Sequence, residues 1–328
     1  MADHSRNLYE LQAINRRKTV LVMGMFVGFF ALLGLGFDTF VLGFGDESYG
    51  IGFPVITLIA IGAGTLSALW SLERGSVTIL ASSCARPVDT NEPKYRQVVN
   101  VVEEMAIASG LPVPAIYVIP DPDPNAFATG KDPQHASIAV TEGLLDQMNR
   151  EELQAVIAHE MSHVRNYDIR VMTVVAALIG AVMLLSEFGL RSLRFGGGSK
   201  RSSSNRSGGS GGGILFVFWI VAMILAPFIA QVLAMAVSRQ REYLADASGA
   251  ELTRNPLALA SALSKIDEAS EPTRSVKKGT AHLCIADPLG SEKNDREGVF
   301  AELFATHPPI TKRIMLLKAM AFQVTEAS

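Results

Sequence analysis

The sequence has little charge, no excess of positive charge and few cysteines. Charged residues make up 19% of its 328 residues and the formal net charge is -3, so no basic surface is expected to neutralise phosphates. Nucleic acid is therefore not an expected partner. The two cysteines, Cys84 and Cys284, lie far apart in regions assigned below to the cytoplasm, where thiols stay reduced. We expect both to be free and structural, since neither is directly adjacent to a histidine that could activate a thiol nucleophile.

Hydrophobic residues, by contrast, make up 48% of the chain and are concentrated in four stretches. Each stretch is long enough to cross a bilayer core, which takes about 20 residues of helix. They are residues 19–44, 51–70, 171–190 and 214–237. A buried hairpin in a soluble core is the alternative for the first two, but soluble core helices seldom run so long without polar interruption. The sequence therefore predicts an integral membrane protein that has the lipid bilayer as a partner.

The flanking charges indicate how the first span is oriented. Arg16, Arg17 and Lys18 precede it, whereas the short loop after it carries only acidic charges. Positive-inside bias therefore predicts a cytoplasmic N-terminus, and the second span returns residues 71–170 to the same side. The apolar segment is too long for a cleavable signal peptide and no small-residue cleavage site follows it, so we expect it to remain as an anchor.

The polar region between the second and third spans mixes helix and strand signals. EPKYRQVVNVVEEMAIASGLP predicts an amphipathic helix that ends at Gly110, and AIYVIP predicts a short strand. NAFAT and SIAVT flank a Gly-Lys-Asp-Pro turn and predict a β-hairpin. The Gly/Ser-rich segment 195–213 predicts a flexible connector between the last two spans. Its basic residues leave open whether those spans cross the membrane or only dip into it.

The stretch AVIAHEMSHVR at 155–165 contains the most distinctive chemistry. His159 and His163 are four apart, so on a helix they lie on one face and can present two imidazole nitrogens to one ion. Glu160 is rotated by roughly 100° from His159, which allows it to lie beside the ion without binding it. This is the His-Glu-x-x-His pattern, in which the glutamate is the general base of a zinc protease. The alternative is a pair of core histidines bonded to backbone carbonyls.

A catalytic zinc ion takes three protein ligands and leaves its fourth position to water. Position 169 is isoleucine, so the extended pattern with a nearby third histidine is missing and a carboxylate is needed. The candidates are Asp168, Glu187, Glu242, Asp246 and Glu251. Glu242 and Asp246 are spaced i, i+4, so one could bind zinc while the other orients a ligand histidine through its second ring nitrogen. The alternative for this pair is a solvated cluster with Arg239 and Arg241.

These motifs together resemble a known family. HEMSH followed by Asn166 and Asp168, then SRQREYLAD, the NAFATG stretch and the late THPP are similar to the HtpX heat-shock proteases over nearly the whole chain. That family consists of membrane-embedded zinc endopeptidases related to the prenylated-protein endopeptidases of the eukaryotic endoplasmic reticulum. The long Gly/Ser connector departs from the family pattern, and this departure concerns the membrane hairpin and not the chemistry.

The resemblance implies a gluzincin-type zinc metalloendopeptidase with one zinc ion per chain. His159, His163 and Glu242 correspond to the zinc ligands, Glu160 to the catalytic base, and Asp246 to the partner of a ligand histidine. The resemblance also implies a location in the bacterial inner membrane, with the N-terminus and the catalytic domain on the cytoplasmic side. Polypeptide substrates, namely misfolded or damaged membrane proteins removed in stress-linked quality control, are implied as well.

Two further assignments concern catalysis and substrate binding. His307 is the candidate donor to the oxyanion of the tetrahedral intermediate, with Arg313 as a support, and the alternative is a helix-start residue after Thr306. Peptide substrates can add as a strand to an exposed sheet edge. The candidate strand for such pairing comprises Asn125, Ala126, Phe127 and Ala128, and the alternative is a plain structural hairpin.

The expected fold is mainly α-helical with a small β-sheet, in an integral membrane protein that has four hydrophobic helices and a zincin-like catalytic domain. Residues 1–70 would form a cytoplasmic segment and two spans, 71–170 and 238–328 the two parts of the catalytic domain, and 171–237 the membrane hairpin. The competing function is a non-proteolytic membrane scaffold with a structural zinc site. Structural zinc usually takes four protein ligands, commonly thiolates, and the two cysteines have no paired spacing.

Overall fold

The computed structural model describes residues 8–40, 52–90, 92–196, 239–269, 283–285 and 308–326, with side chains of the sixth helix described as far as Val182. The helices are α1 (Leu8–Phe40), α2 (Val55–Ser82), α3 (Arg96–Ser109), α4 (Glu142–Gln147), α5 (Arg150–Arg165), α6 (Asp168–Gly196), α7 (Arg239–Thr253), α8 (Pro256–Glu268) and α9 (Ile310–Glu326). The strands are β1 (Arg86–Pro87), β2 (Ala115–Ile119), β3 (Ala126–Gly130) and β4 (Ala136–Thr141). The fold is thus mainly helical with a small sheet, as the sequence predicts.

Helices α1 and α2 form the hydrophobic pair at the N-terminal end of the chain. Among the described residues, these are the two helices long and apolar enough to cross a membrane, and 17% of the apolar window of each is buried within the protein. They pack closely, because a Cβ atom on Gly34 would lie 2.5 Å from the Cα of Thr57. Asp38 of α1 accepts hydrogen bonds from the backbone N–H groups of Ile56 and Thr57, at 3.0 and 2.7 Å, and so caps the start of α2.

The second helix extends further than the predicted span, which ends at residue 70. It continues to Ser82 because its last turns pack on α6. Ser71 Oγ donates to the carbonyl of Val174 at 3.1 Å, and a Cβ atom on Gly75 would lie 3.0 Å from Thr173 Cγ2. Hydropathy identifies only the apolar part of such a helix, whereas packing on a neighbour determines where the helix ends.

The other two predicted spans have a different outcome. Residues 171–190 fall within α6, and most side chains of its 171–182 segment are buried against other parts of the protein. The span predicted at 214–237 lies outside the described residues, as does most of the 195–213 connector. Four hydrophobic helices therefore remain a prediction, and so does the division of the chain at residues 70, 170 and 237.

The sheet lies between two hydrophobic clusters. Its strand order is β1-β2-β4-β3, with β2 parallel to β4 and β3 antiparallel to β4. The predicted hairpin and the strand at 115–119 are therefore confirmed, while the two-residue β1 was not predicted. Alternate residues of β4 face opposite sides: Ile138 and Val140 join the core formed with α3, α5 and α8, whereas Ala139 joins the cluster with α1, α2 and α6.

Helix α5 begins and ends at recognisable signals. Asn149 and Glu152 form a capping box, in which each side chain accepts a hydrogen bond from the backbone N–H of the other residue. The helix ends at Arg165, Asn166 follows, and Tyr167 adopts a left-handed backbone conformation with φ of 60°. Helix α6 then begins at once with Asp168. This tight corner determines where the side chain of Asp168 lies relative to α5.

Candidate metal centre

Helix α7 brings two buried carboxylates to the histidine face of α5. Glu242, Asp246 and Gly249 are spaced i, i+4, i+7, which puts all three on one side of α7. The glycine allows the two helices to approach, because a Cβ atom there would lie 3.0 Å from the backbone nitrogen of His159. Both carboxylates are only 3% exposed, so the alternative of a solvated charge cluster is wrong.

Three side chains converge on one point. Among the described residues, His159, His163 and Glu242 form the group whose ligand atoms all lie within 4.8 Å of one another. Glu242 Oε2 is 3.7 Å from His159 Nε2, and Glu242 Oε1 is 3.6 Å from His163 Nε2. Two ligands about 2.1 Å from a tetrahedral ion are themselves roughly 3.4 Å apart. The spacing is therefore close to that of a zinc coordination shell.

The chemistry of these groups fits zinc as well. Two imidazoles and one carboxylate are an established catalytic zinc ligand set. His159 Nε2 is buried and has no hydrogen-bond partner among the described residues, which is costly unless the nitrogen binds something else. A cation at the centre of the cluster removes that cost. The residues present therefore fit the metal.

The second ring nitrogen of His159 faces a carboxylate. His159 Nδ1 lies 3.0 Å from Asp246 Oδ1. Asp246 in turn accepts two hydrogen bonds from Arg313, from Nε at 2.8 Å and from Nη2 at 2.7 Å. Arg313 is 1% exposed, and its Nη1 also donates to the carbonyl of Ile285 at 2.5 Å. A buried bidentate ion pair thus holds the partner of His159.

These contacts change the acidity of the buried groups in the metal-free protein. Burial lowers the pKa of His159, but Asp246 and Glu242 outweigh it and raise that pKa to about 9. Burial raises the pKa of Asp246, but Arg313 and His159 outweigh it and lower that pKa to about 2. Asp246 is therefore ionised at neutral pH and can accept the Nδ1 proton of His159, which leaves Nε2 as the ligand atom.

His163 is held by a different set of residues. Its Nδ1 is hydrogen-bonded to Asp168 Oδ2 at 3.2 Å. The other oxygen of Asp168 accepts from Asn15 Nδ2 at 2.7 Å and from Arg241 Nη1 at 3.4 Å. The sequence made Asp168 a candidate ligand, whereas the structure places it on the far side of the His163 ring. Carboxylates commonly occupy this position behind metal-binding histidines, and that rule could have suggested the role.

The other two candidate ligands lie elsewhere. Glu251 lies two residues beyond Gly249 on α7, is exposed, and is not part of the converging group. The side chain of Glu187 lies outside the described residues. Among the candidate carboxylates whose side chains are described, Glu242 is the one that meets both histidines at ligand spacing.

Glu160 lies next to this cluster and is 1% exposed. Burial raises the pKa of its carboxyl group, while His159, His163 and the backbone N–H of Ala128 oppose that rise. Neither carboxyl oxygen makes a hydrogen bond of ordinary geometry within the described residues. A buried carboxyl group with a raised pKa is a stronger proton acceptor than an exposed one, as the general base of a hydrolase must be.

The proposed substrate strand lies at one edge of the sheet but is covered. All five residues of β3 are buried, and Ile285 donates its backbone N–H to the carbonyl of Ala126 at 2.9 Å. The exposed edge expected from the sequence is therefore not open in this structure. Phe127 packs into the cluster formed with α1, α2 and α6, and Asn125 is bonded to Thr141 of β4. The contribution of Ala128 to the pKa of Glu160 shows that the edge faces the metal centre.

His307 lies outside the described residues, so its expected role as an oxyanion donor remains a prediction. Arg313 donates to Asp246 and to the carbonyl of Ile285, and its expected support of His307 stays a prediction as well. It also approaches Glu242, with Nη1 3.8 Å from Oε2. The first turn of α9, which begins three residues after His307, therefore reaches the metal centre.

Comparison with known proteins links this centre to a protease family. Residues 92–321 match the family described as Peptidase family M48. The chain is 45% identical over 316 residues to the Protease HtpX homolog of Caldanaerobacter subterraneus subsp. tengcongensis, covering 96% of this chain and 98% of that one. It is 44% identical over 315 residues to the Protease HtpX homolog of Thermoanaerobacter pseudethanolicus, covering 96% and 98%. The crystal structure of S. mikatae Ste24p aligns at 18% identity with a TM-score of 0.48, covering 94% of this chain and 67% of that one.

Proposed function

The chain belongs to peptidase family M48, and from this premise we propose how a membrane-associated zinc metalloendopeptidase of this sequence holds its metal and cleaves polypeptides. We assign His159, His163 and Glu242 as the zinc ligands. The observation that supports this assignment is the buried convergence of their three ligand atoms within 4.8 Å. When bound, zinc acts as a Lewis acid that polarises the scissile carbonyl and makes water a better nucleophile at neutral pH.

Glu160 carries the proton in this proposal. Its carboxylate accepts a proton from the attacking water and then delivers it to the departing amine. The raised pKa of the carboxyl group supports both steps, because a base that is too weakly basic could not take the proton and one that is too strongly basic could not return it. Asp246 and Asp168 hold the two imidazoles in the orientation that presents Nε2 to the metal.

His307 is proposed to donate to the oxyanion that forms on the scissile carbonyl, a role typically worth about 10²–10³ in rate. Two features support this role: an imidazole can donate a hydrogen bond to an oxyanion, and His307 is close in sequence to the start of α9. It precedes by three residues the helix whose Arg313 approaches Glu242.

Substrate binding is proposed to use the backbone edge of Asn125, Ala126, Phe127 and Ala128. The contribution of the Ala128 N–H to the pKa of Glu160 supports this, because a peptide paired along that edge would run past the catalytic base. Such a peptide would have to displace Ile285 from the carbonyl of Ala126. Recognition through the backbone would give broad side-chain specificity.

The natural substrates are proposed to be misfolded or damaged membrane proteins of the bacterial inner membrane. The packing of α1, α2 and α6 beside the sheet supports this, since it puts the hydrophobic helices directly next to β3. The cytoplasmic location of the N-terminus and of the catalytic residues is proposed from the basic residues before the first span. The protease would then act in quality control.

The competing function, a scaffold with structural zinc, is disfavoured by the same cluster. Structural zinc usually has four protein ligands. Among the described residues the cluster has three, and Cys84 and Cys284 are not among them. Three protein ligands with a buried carboxyl group beside them are the set that a hydrolytic zinc site uses.

The Glu160→Gln variant tests the proposal. The purified full-length protein should retain one zinc per chain but lose casein cleavage by about 10²–10⁴-fold, the typical contribution of a general base. Wild-type cleavage should stop when a chelator removes the metal and return when zinc is restored. Substantial cleavage by the metal-loaded Glu160→Gln protein would reject the assignment of the base. A zinc-loaded wild-type protein that cleaves no unfolded membrane protein would favour the scaffold.

A further inference from the structure

The cytoplasmic end of the first hydrophobic helix contacts the corner that follows the histidine helix. Gln12 Nε2 donates to the carbonyl of Arg165 at 2.9 Å, and Asn15 Nδ2 donates to the carbonyl of Asn166 at 2.9 Å. The guanidinium carbon of Arg16 lies 4.7 Å from the ring centroid of Tyr167. Three side chains within five residues of α1 therefore contact three successive residues, Arg165 to Tyr167, at the corner that follows α5. This is a specific docking site and not a loose packing of apolar surfaces.

Asn15 has a second contact that the other two lack. The same Nδ2 atom donates to Asp168 Oδ1 at 2.7 Å, so its two N–H groups have two different acceptors. Asn15 is 5% exposed and Asp168 is 1% exposed, which makes the bond between them a buried one to a charged acceptor. Binding at one oxygen of the carboxylate fixes its rotation, and the other oxygen, Oδ2, then meets His163 Nδ1.

The backbone conformation of the α5–α6 corner explains why Asp168 needs the bond from Asn15 to fix its position. Tyr167 has a left-handed backbone with φ of 60°, a conformation that a bulky side chain adopts only when its surroundings impose it. Asp168 follows directly, so its position depends on whether the corner keeps this shape. Arg241 also reaches Asp168 Oδ1, but at 3.4 Å the bond is longer and weaker than that of Asn15. Asn15 is therefore the closest donor that orients the carboxylate.

We propose that Asn15 is a positioning residue for the metal centre, which acts through Asp168 to hold the ring of His163. The docking of the first membrane helix on the α5–α6 corner then determines how firmly the zinc ion is retained. This inference rests on the proposed function only in that His163 is taken as a zinc ligand. Asn15 touches neither the ligand atoms nor the substrate edge, and its effect reaches the metal by way of two hydrogen bonds.

The test uses the full-length protein in detergent or nanodiscs, loaded with zinc. Asn15→Leu keeps the branching and the number of side-chain heavy atoms but has no donor, so release of zinc to a chelator should become about tenfold faster, at the lower end of the range for partners of metal ligands. The Michaelis constant should stay within about twofold while kcat falls, because the substrate edge is not altered. Gln12→Leu is the matched control, since it removes a bond between the same two helices without touching Asp168.

Asn15→Asp is the second variant, for use if Asn15→Leu does not fold. It has nearly the same shape and places a carboxylate against that of Asp168, so zinc release should again become faster. Zinc release at the wild-type rate in whichever Asn15 variant folds would overturn the inference, and so would an equal acceleration in Gln12→Leu. A wild-type protein without one zinc per chain would instead reject the proposed function, so the two failures can be told apart.

Discussion

The two histidines of the metal centre differ in what holds them. The His159 side consists of Asp246 and Arg313, which form a bidentate ion pair at 2.7 and 2.8 Å. On the His163 side, Asp168 accepts a short bond of 2.7 Å from the neutral amide of Asn15 and a longer one of 3.4 Å from Arg241. The first pair joins α7 to α9, whereas the second joins the start of α6 to the hydrophobic helix α1. One histidine is thus held by the C-terminal helices and the other through the N-terminal hydrophobic helix.

Substitutions on the two sides should therefore differ in their cost in unfolding free energy and in their effect on metal retention. Removing one partner of a buried ion pair leaves an uncompensated charge and typically costs about 3–5 kcal/mol. Removing a neutral donor from a charged acceptor costs about 1.5–3 kcal/mol. We expect the His159 side to govern the stability of the catalytic region and the His163 side to govern retention of the metal.

The largest effect is expected from Arg313→Leu. The change leaves Asp246 buried beside His159 without its counter-charge, so the protein should lose about 3–5 kcal/mol of unfolding free energy. Thermal unfolding in detergent measures the loss. Arg313→Lys, which keeps the charge but not the bidentate geometry, should give an intermediate value. An Arg313→Leu protein as stable as the wild type would remove the stated difference between the two sides.

A paired substitution compares the sides directly. Asp246→Asn and Asp168→Asn each weaken the acceptor behind one histidine, so each should lower zinc affinity by about 10- to 100-fold. Asp246→Asn should lower the unfolding temperature more strongly, because it removes the two short contacts of the buried Arg313, whereas Asp168→Asn removes one contact of Arg241 at 3.4 Å. Zinc titration and thermal unfolding of the two proteins give both quantities. Equal destabilisation by the two variants would contradict the comparison.

Gly249→Val tests the packing that brings the His159 side together. A Cβ atom at this position would lie 3.0 Å from the backbone nitrogen of His159, so the branched side chain should push α7 away from α5 at a cost of about 1–3 kcal/mol. Zinc affinity should fall because Glu242 moves with its helix. Gly249→Ala should have a smaller effect of the same sign. Unchanged zinc binding in the valine variant would mean that the helices are not held this closely.

The smallest effect is expected from Glu152 at the start of α5, which belongs to neither the His159 side nor the His163 side. Burial raises the pKa of Glu152, but Lys265 and Ser261 outweigh it and lower that pKa below its ordinary value of 4.5. The ionised form is therefore favoured by folding, so its contribution is present above about pH 4.5 and is lost as the pH falls through the lowered pKa. Glu152→Gln should cost about 1 kcal/mol at pH 7.

This variant is the control for the other predictions. Its stability deficit should shrink as the pH falls below 4.5, and its zinc release should equal that of the wild type because Glu152 does not contact either side of the centre. Chemical unfolding as a function of pH and a chelator assay measure the two quantities. A deficit that grows in acid would mean that the sign of the pKa shift is wrong.

Sequence rules predicted the local part of this site well. The shared face of His159 and His163 follows from the helical period, which depends on neighbouring residues alone. The i, i+4 spacing likewise put Glu242 and Asp246 on one face of α7. Such features need no knowledge of the rest of the fold.

The contacts of the site between residues that are distant in sequence could not be predicted in the same way. Whether Asp168 is a ligand or a partner of His163 depends on the corner at Tyr167, whose left-handed backbone has no sequence signal. Asn15 lies 153 residues from Asp168 and looks like an ordinary polar residue before a membrane span. The cover on β3 was missed for the same reason, because Ile285 is distant in sequence from Ala126.

The proposed mechanism requires zinc held by His159, His163 and Glu242 with one position left to solvent. X-ray absorption at the zinc K-edge of the metal-loaded full-length protein tests this most directly. We predict a shell of two imidazole nitrogens, one carboxylate and one solvent oxygen, and loss of the carboxylate component in Glu242→Ala. A shell closed by four protein side chains, or one that Glu242→Ala leaves unchanged, would contradict the account.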